Sequence, residues 1–110
     1  MREISWFKSA QKAFHKFPDA VQLEGLRALT VVAAGGFPDT AKPLHGLGSG
    51  VAEIAIRHRG DAWRVVYVVN IGDRLWVLHA FQKKSTRGIA TPEHEIAVVR
   101  ERLARLRRGL

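Results

Sequence analysis

EIAIRHRGDAWRVVYVVNIGDRLWVLHAFQKK, residues 53–84, decides the fold of this chain. Gly60-Asp61 and Gly72-Asp73 each interrupt runs rich in β-branched and aromatic residues, the mark of a two-residue hairpin loop. The stretch reads as three antiparallel strands. With a two-residue loop at both places, Arg59 pairs with Ala62 and Ile71 with Arg74, so that Arg57 faces Arg64 and Arg64 faces Phe81. Side chains alternate between the two faces of a strand. One face then collects Ile54, Ile56, Trp63, Val65, Tyr67, Val69, Trp76, Leu78 and Ala80, a core. The other collects Glu53, Arg57, Arg59, Arg64, His79, Phe81 and Lys83, diluted by Ala55, Val66, Val68 and Val77. A slip of one residue would scramble that division, so the clean split supports the register.

Outward from this segment the pattern turns helical. Residues 1–6 suit a short strand. Phe7, Ala10, Phe14 and Phe17 then recur at spacings of three and four, which predicts a helix with one buried face, ended by Pro18. Asp19, with Gln22 three residues on, has the form of a helix cap, and Leu23, Leu26, Leu29 and Val32 give the next helix its apolar stripe. Gly35-Gly36 and Pro38 stop it, and residues 37–50 read as a loop rich in Gly and Pro. Beyond the sheet, Lys83-Lys84-Ser85-Thr86-Arg87-Gly88 is a basic connector. Thr91 as cap and Pro92 in the first helical position open a last helix, whose seam is Ile96, Val99, Leu103, Leu106 and Leu110. The prediction is a single α+β domain over residues 1–110: two N-terminal helices, a twisted antiparallel three-strand meander with a short N-terminal strand, and a C-terminal helix.

Composition narrows the function. The chain has no cysteine, which rules out disulfides and thiolate metal sites and fits a reducing compartment. No apolar run approaches the ~20 residues that cross a bilayer, and Met1 to Trp6 lacks the form of a signal peptide. These readings predict a cytoplasmic protein without a membrane partner. The net charge of +8 is unevenly spread: residues 1–56 carry six Lys/Arg against five Asp/Glu, residues 57–110 twelve against five. Such asymmetry points to an anionic partner.

The five histidines show no paired metal-ligand spacing, the Gly-rich run His45 to Gly50 lacks a phosphate-loop lysine, and no serine-nucleophile motif is present. No cofactor is expected. The Arg/His/Lys face remains, and RNA is its expected ligand. RNA can be cut without a metal through its own 2′-hydroxyl, given a proton acceptor, positive charge at the phosphate and a donor to the leaving oxygen. Arg57 and Arg64 suit the phosphate, because guanidinium forks bind two oxygens and stay charged. Glu53 is either the proton acceptor or the carboxylate that neutralises those arginines. His79 is the imidazole on this face that titrates near neutrality, Lys83 and Lys84 end the third strand, and Phe81 either stacks on a base or packs in the core. Arg59 and Arg87 extend the basic surface. Arg105, Arg107 and Arg108 suit a helix C-terminus, and with Arg100 and Arg102 they also suit RNA or an acidic partner.

Four runs in order carry a resemblance: Ala41-Lys42-Pro43-Leu44-x-Gly46-Leu47-Gly48-Ser49-Gly50-Val51-x-Glu53; Arg57-x-x-x-Asp61-x-x-Arg64-Val65-Val66-Tyr67; Val77-Leu78-His79-Ala80-Phe81-Gln82-Lys83-Lys84; and Ala90-Thr91-Pro92-Glu93. Together they resemble the phage-derived branch of the RelE/HigB superfamily of bacterial toxins, over roughly residues 41–103. The resemblance implies a RelE/ParE-like fold and the toxin of a type II toxin–antitoxin pair. It implies an mRNA interferase that cuts the message in the ribosomal A site, neutralised by a small helix-turn-helix antitoxin through which operator DNA is also bound. It gives the phosphate contact to Arg64 and the basic strand ends to Arg57, Lys83 and Lys84. The catalytic base does not carry over: Glu53 and Ala55 stand where relatives use lysines, and no tyrosine follows Tyr67. Glu53 and His79 stay open for that role. The alternatives are a gyrase-poisoning binding protein of the ParE branch and an inactive protein on the same fold. The leading reading expects Arg64→Ala to keep the fold and abolish toxicity.

Overall fold

The computed structural model describes residues 1–84 and 90–109. Their elements run β1 (Glu3–Trp6), α1 (Lys8–Phe14), α2 (Asp19–Ala33), β2 (Ala41–Pro43), β3 (Val51–His58), β4 (Asp61–Val68), β5 (Arg74–Lys83) and α3 (Glu93–Arg107). The fold is α+β, as expected, with the strands in the order β1-β5-β4-β3-β2. The meander β3-β4-β5 is antiparallel and forms the centre of this five-stranded sheet. The N-terminal strand joins it parallel to β5, so the sheet is mixed. Residues 37–50, read as a loop, contribute the edge strand β2, where Lys42 stands opposite Glu53.

Both hairpin loops differ from the expectation. The first turns on Arg59-Gly60, with His58 opposite Asp61. Its two central residues have positive φ, +52° at Arg59 and +83° at Gly60. A two-residue hairpin turn of that hand needs both central residues there, and glycine enters that region without cost. Arg57 consequently faces Ala62, and Arg64 faces Ala55. Moving the loop one position shifts the partners by two, so each residue keeps its face. The second loop is not the two residues Gly72-Asp73; residues 69–73 join β4 to β5. The end of β4 is drawn toward β3 instead: the Val69 N–H donates to the Gly50 carbonyl, and Asn70 Nδ2 donates to Ser49 Oγ. A bulge at Leu78, between the pairs Val66–His79 and Tyr67–Val77, absorbs the difference. It exchanges the faces of Val77 and Trp76, while Arg64 opposite Phe81 stands as expected.

Helices cover both faces. Phe7, Ala10, Phe14 and Phe17 are all buried, as their spacing predicts. The stripe expected on α2 is rotated: Val21, Gly25, Ala28, Leu29 and Val32 face the sheet, while Leu23 and Leu26 are exposed. Gly25 explains the rotation. A Cβ there would lie 2.9 Å from Phe14 Cε1 and 3.5 Å from Ile56 Cδ1, so its absence lets the helix settle on the sheet. Asp19 does not cap α2; Pro18 holds the cap position, and Gln22 Nε2 donates to the carbonyls of His15 and Phe17. On the opposite face lies α3, seated by Ile96, Val99, Leu103 and Leu106. The cationic face is therefore largely roofed rather than open. Among the described residues no helix is long and apolar enough to cross a membrane.

Gly25→Ala is expected to lower the melting temperature. The added methyl meets a ring wedged between Trp6 and Phe17; overpacking costs about 1–3 kcal/mol, against about 1 kcal/mol gained in helix propensity. Thermal unfolding followed by circular dichroism checks it, and an unchanged or raised midpoint would mean that the Phe14 ring yields freely.

Candidate functional site

Three rungs of the sheet build the site on the face under α3. The first is Lys42–Glu53–Val66–His79, the second Ala55–Arg64–Phe81, the third Arg57–Ala62–Lys83. Strand alternation points all ten to one side. Arg64 stands in the middle, with Glu53, Arg57, His79 and Lys83 as its diagonal neighbours, within reach of long side chains. The sheet thus brings four cations, Lys42, Arg57, Arg64 and Lys83, around one carboxylate.

That carboxylate is fully buried. Glu53 Oε1 accepts from Arg64 at 2.5 Å, and Oε2 accepts from the Thr91 hydroxyl at 2.5 Å. Both oxygens are thereby occupied, and Thr91, expected to cap α3, is tied to the sheet instead. Pro92 takes the cap position, not the first helical one. Of the two roles left open for Glu53, this geometry favours neutralising Arg64 over accepting a substrate proton. Arg64 Nε is buried and finds no acceptor among the described residues.

Lys83 is also buried. Burial pushes its ammonium below the usual lysine range, and repulsion from Arg64, Lys42 and Arg57 adds to that; Glu53 opposes it. The amine therefore releases its proton more readily than a surface lysine does. Arg57 is exposed at the open margin of the cluster, and Lys84 is exposed just past the strand.

His79 is locked. Its Nε2 lies 2.7 Å from Glu95 Oε1, its Nδ1 lies 3.3 Å from Arg102 NH1, and its ring stacks on Phe81 with centroids 5.0 Å apart. A guanidinium can only donate, so Nδ1 accepts and Nε2 carries the proton to Glu95. Burial lowers the pKa of the ring despite that carboxylate, consistent with a neutral imidazole. Neither nitrogen is left for a substrate. Phe81 is buried beneath His79, where it packs rather than offering a face to a base. Arg59 sits exposed at the hairpin tip, and Arg87 lies outside the described residues. Among the described residues no group of His, Cys, Asp and Glu could hold a metal ion.

Sequence reasoning missed Lys42, Thr91 as a ligand of Glu53, and the pair Glu95 and Arg102. Lys42 lay in a stretch read as loop, although Lys42-Pro43 stood in the first of the resembling runs. The α3 contacts had no signal, since no local pattern reports where a helix docks.

Residues 12–104 match the family described as Phage derived protein Gp49-like, and the chain belongs to that family. No curated protein matches it. Among solved structures, a chain of the intact E. coli RelBE toxin–antitoxin complex superposes with a TM-score of 0.60 at 19% identity, over 77% of this chain and 100% of that one. The isolated E. coli RelE toxin gives 0.58 at 18% identity, over 92% of this chain and 99% of that one. The resemblance seen in the motifs thus holds for the family and the fold.

The His79 environment sets a pH dependence. Its folded pKa lies below the ordinary 6.5, so on acidification the unfolded chain takes up this proton first. The contribution is full above about 6.5 and is lost as the pH falls from there through the depressed folded value. Melting temperatures measured across that interval should fall for the wild type, and more shallowly for His79→Gln. Parallel curves would show that His79 does not carry the effect.

Proposed function

We propose that this member of the Gp49-like family is the toxin of a type II toxin–antitoxin pair, an endoribonuclease that cuts mRNA on the ribosome. The observation that carries the reading is the cluster of four cations around a single buried carboxylate, with a lysine of lowered pKa among them. Like charges on neighbouring strands disfavour folding, and a bound phosphate relieves them. Arg57 and Lys42 approach the phosphate from the exposed side. Arg64, held by Glu53, supplies fixed positive charge that needs no reorganisation during the reaction. Lys83 exchanges the proton: as a neutral amine it accepts from the 2′-hydroxyl while that oxygen attacks phosphorus, and as an ammonium it returns the proton to the leaving 5′-oxygen. Products are a 2′,3′-cyclic phosphate and a 5′-hydroxyl. No cofactor enters.

The reading places the protein in the cytoplasm, with mRNA and the ribosome as targets. Its neutralising partner is a small antitoxin of helix-turn-helix type, through which the pair also binds operator DNA. The RelBE complex among the similar folds supports an antitoxin partner.

The geometry revises the variant to make. Arg64→Ala strands a buried Glu53, and removing one partner of a buried pair costs about 3–5 kcal/mol, so loss of toxicity would be confounded with loss of fold. Lys83→Met and Arg57→Ala are the cleaner variants. Induction in growing cells, with mRNA 5′-ends mapped by primer extension, should show cuts inside reading frames that vanish when translation initiation is blocked. Cleavage by Lys83→Met should fall by about 10²–10⁴, the usual weight of a proton-transferring group. Cuts that persist under the block would make this a free RNase, and undiminished cutting by Lys83→Met would remove that residue from the chemistry. Growth arrest with intact mRNA and inhibited supercoiling would instead establish the gyrase-poisoning alternative, and no arrest an inactive copy.

A further inference from the structure

On the opposite side of the sheet from the cluster, a cavity of about 570 Å³ opens between α1 and the ends of β4 and β5. Phe17 and Trp63 line it with Ala13 and Ala80, and Phe81, whose ring stacks on His79 on the other face, borders it from β5; Ser9, Lys12, Lys16 and Gln82 supply the polar atoms. Lys12 and Lys16 lie four residues apart, on α1 and in the turn that follows it, and both are exposed. Among the described residues, no carboxylate lines the cavity. The indole Nε1 of Trp63, whose ring packs against Phe17 with centroids 4.8 Å apart, is buried and has no acceptor among the described residues. Two exposed lysines beside an aromatic wall match the cavity to a ligand that carries negative charge.

We propose that this groove is a second RNA subsite, which holds the single strand flanking the phosphate bound in the basic cluster. The inference rests on the reading of that cluster as an RNA site. Two features favour RNA over an acidic peptide. Trp63 precedes Arg64 on β4 and Gln82 precedes Lys83 on β5, so groove and cluster lie back to back at the same end of the sheet. The tip between them carries Arg57, His58 and Arg59, with Asp61 the one carboxylate opposite His58. A strand leaving the cluster therefore follows cations around the tip into the groove. There the two lysines take successive phosphates. Ser9 and Gln82 face the bases, and the aromatic floor offers a stacking surface, as in grooves that hold single strands without strict sequence preference.

The test compares two fluorescein-labelled RNAs, fully 2′-O-methylated to block cleavage: one of about four nucleotides, enough for the cluster alone, and one of about sixteen. Binding of wild type, Lys12→Ala/Lys16→Ala, Trp63→Phe and Arg57→Ala is measured by anisotropy across a salt series. The lysine double variant should bind the long strand on the order of tenfold more weakly, with its log–log salt slope reduced by about 1.4, and bind the short strand as wild type does. Trp63→Phe leaves a smaller ring in the groove and should lose a few-fold on the long strand only. Arg57→Ala should weaken both. Unchanged long-strand affinity and slope in the lysine variant, with Arg57→Ala still impaired, would overturn the groove and leave the cluster reading intact. Failure of wild type to bind either strand would overturn both. A double variant that loses affinity for poly-glutamate but not for RNA would give the groove to an acidic peptide instead.

Discussion

Burying a guanidinium and a carboxylate together is a demanding arrangement, and the pair Arg64–Glu53 meets its demands with help from a distant part of the chain. Taking two ions out of water costs several kcal/mol each, offset only when the geometry is good and the remaining lone pairs are satisfied. The first oxygen of Glu53 takes Arg64, and the second takes Thr91 from the segment leading into α3. One carboxylate thus fixes the central cation of the site and fastens the start of the helix that roofs it. Losing either partner would forfeit a large part of the roughly 5–15 kcal/mol by which a domain of this size is stable. The pair is weak support for stability as such. What it secures is position: an arginine held in this way has its charge in place before any ligand arrives.

The roof changes the meaning of the sheet face. An open face of arginines, lysines and a histidine would be a broad electrostatic surface. Covered by α3, it becomes a bounded site with differentiated members. His79 is enclosed between Phe81, Glu95 and Arg102 and works as part of the helix seat. Arg102 also donates to the Leu78 carbonyl, at the bulge, and Arg107 reaches the Leu47 carbonyl. Two of the C-terminal arginines that looked like a general RNA surface are thereby committed to docking the helix. The cations that stay with the cluster are those on the strands themselves.

The faces of the central strands were legible because their pattern is insensitive to the error made in it. A two-residue loop displaced by one position changes partners by two, and alternation has a period of two, so Arg57, Arg64 and Glu53 kept their side although Arg57 lost its place opposite Arg64. A bulge adds a single residue and has the opposite effect, which is why Trp76 and Val77 came out exchanged. Nothing local announces a bulge at Leu78; it follows from Val69 and Asn70 being held by Gly50 and Ser49 across the sheet. The α2 stripe was half right for a related reason: Leu29 and Val32 are buried, but Leu23 and Leu26 are exposed. Leucine periodicity marked one face, but close approach favoured the face with Gly25 and Ala28, and smallness carries no hydrophobic signal. Thr91 satisfied the rule for a cap and was taken by a stronger acceptor 38 residues away.

The electrostatics of the cluster bear on why such a site is kept. Each cation added near Arg64 raises the free energy of the folded chain, and at Lys83 repulsion and burial together lower the amine's hold on its proton. An anion that binds the folded state alone stabilises it by mass action. A single phosphate between Arg57, Lys42 and Lys83 would remove part of the repulsion and at the same time raise the affinity of Lys83 for a proton. Binding and proton uptake at the lysine are then coupled. Under the proposed function, phosphate binding would shift Lys83 toward its ammonium form, the form that donates a proton to the leaving oxygen.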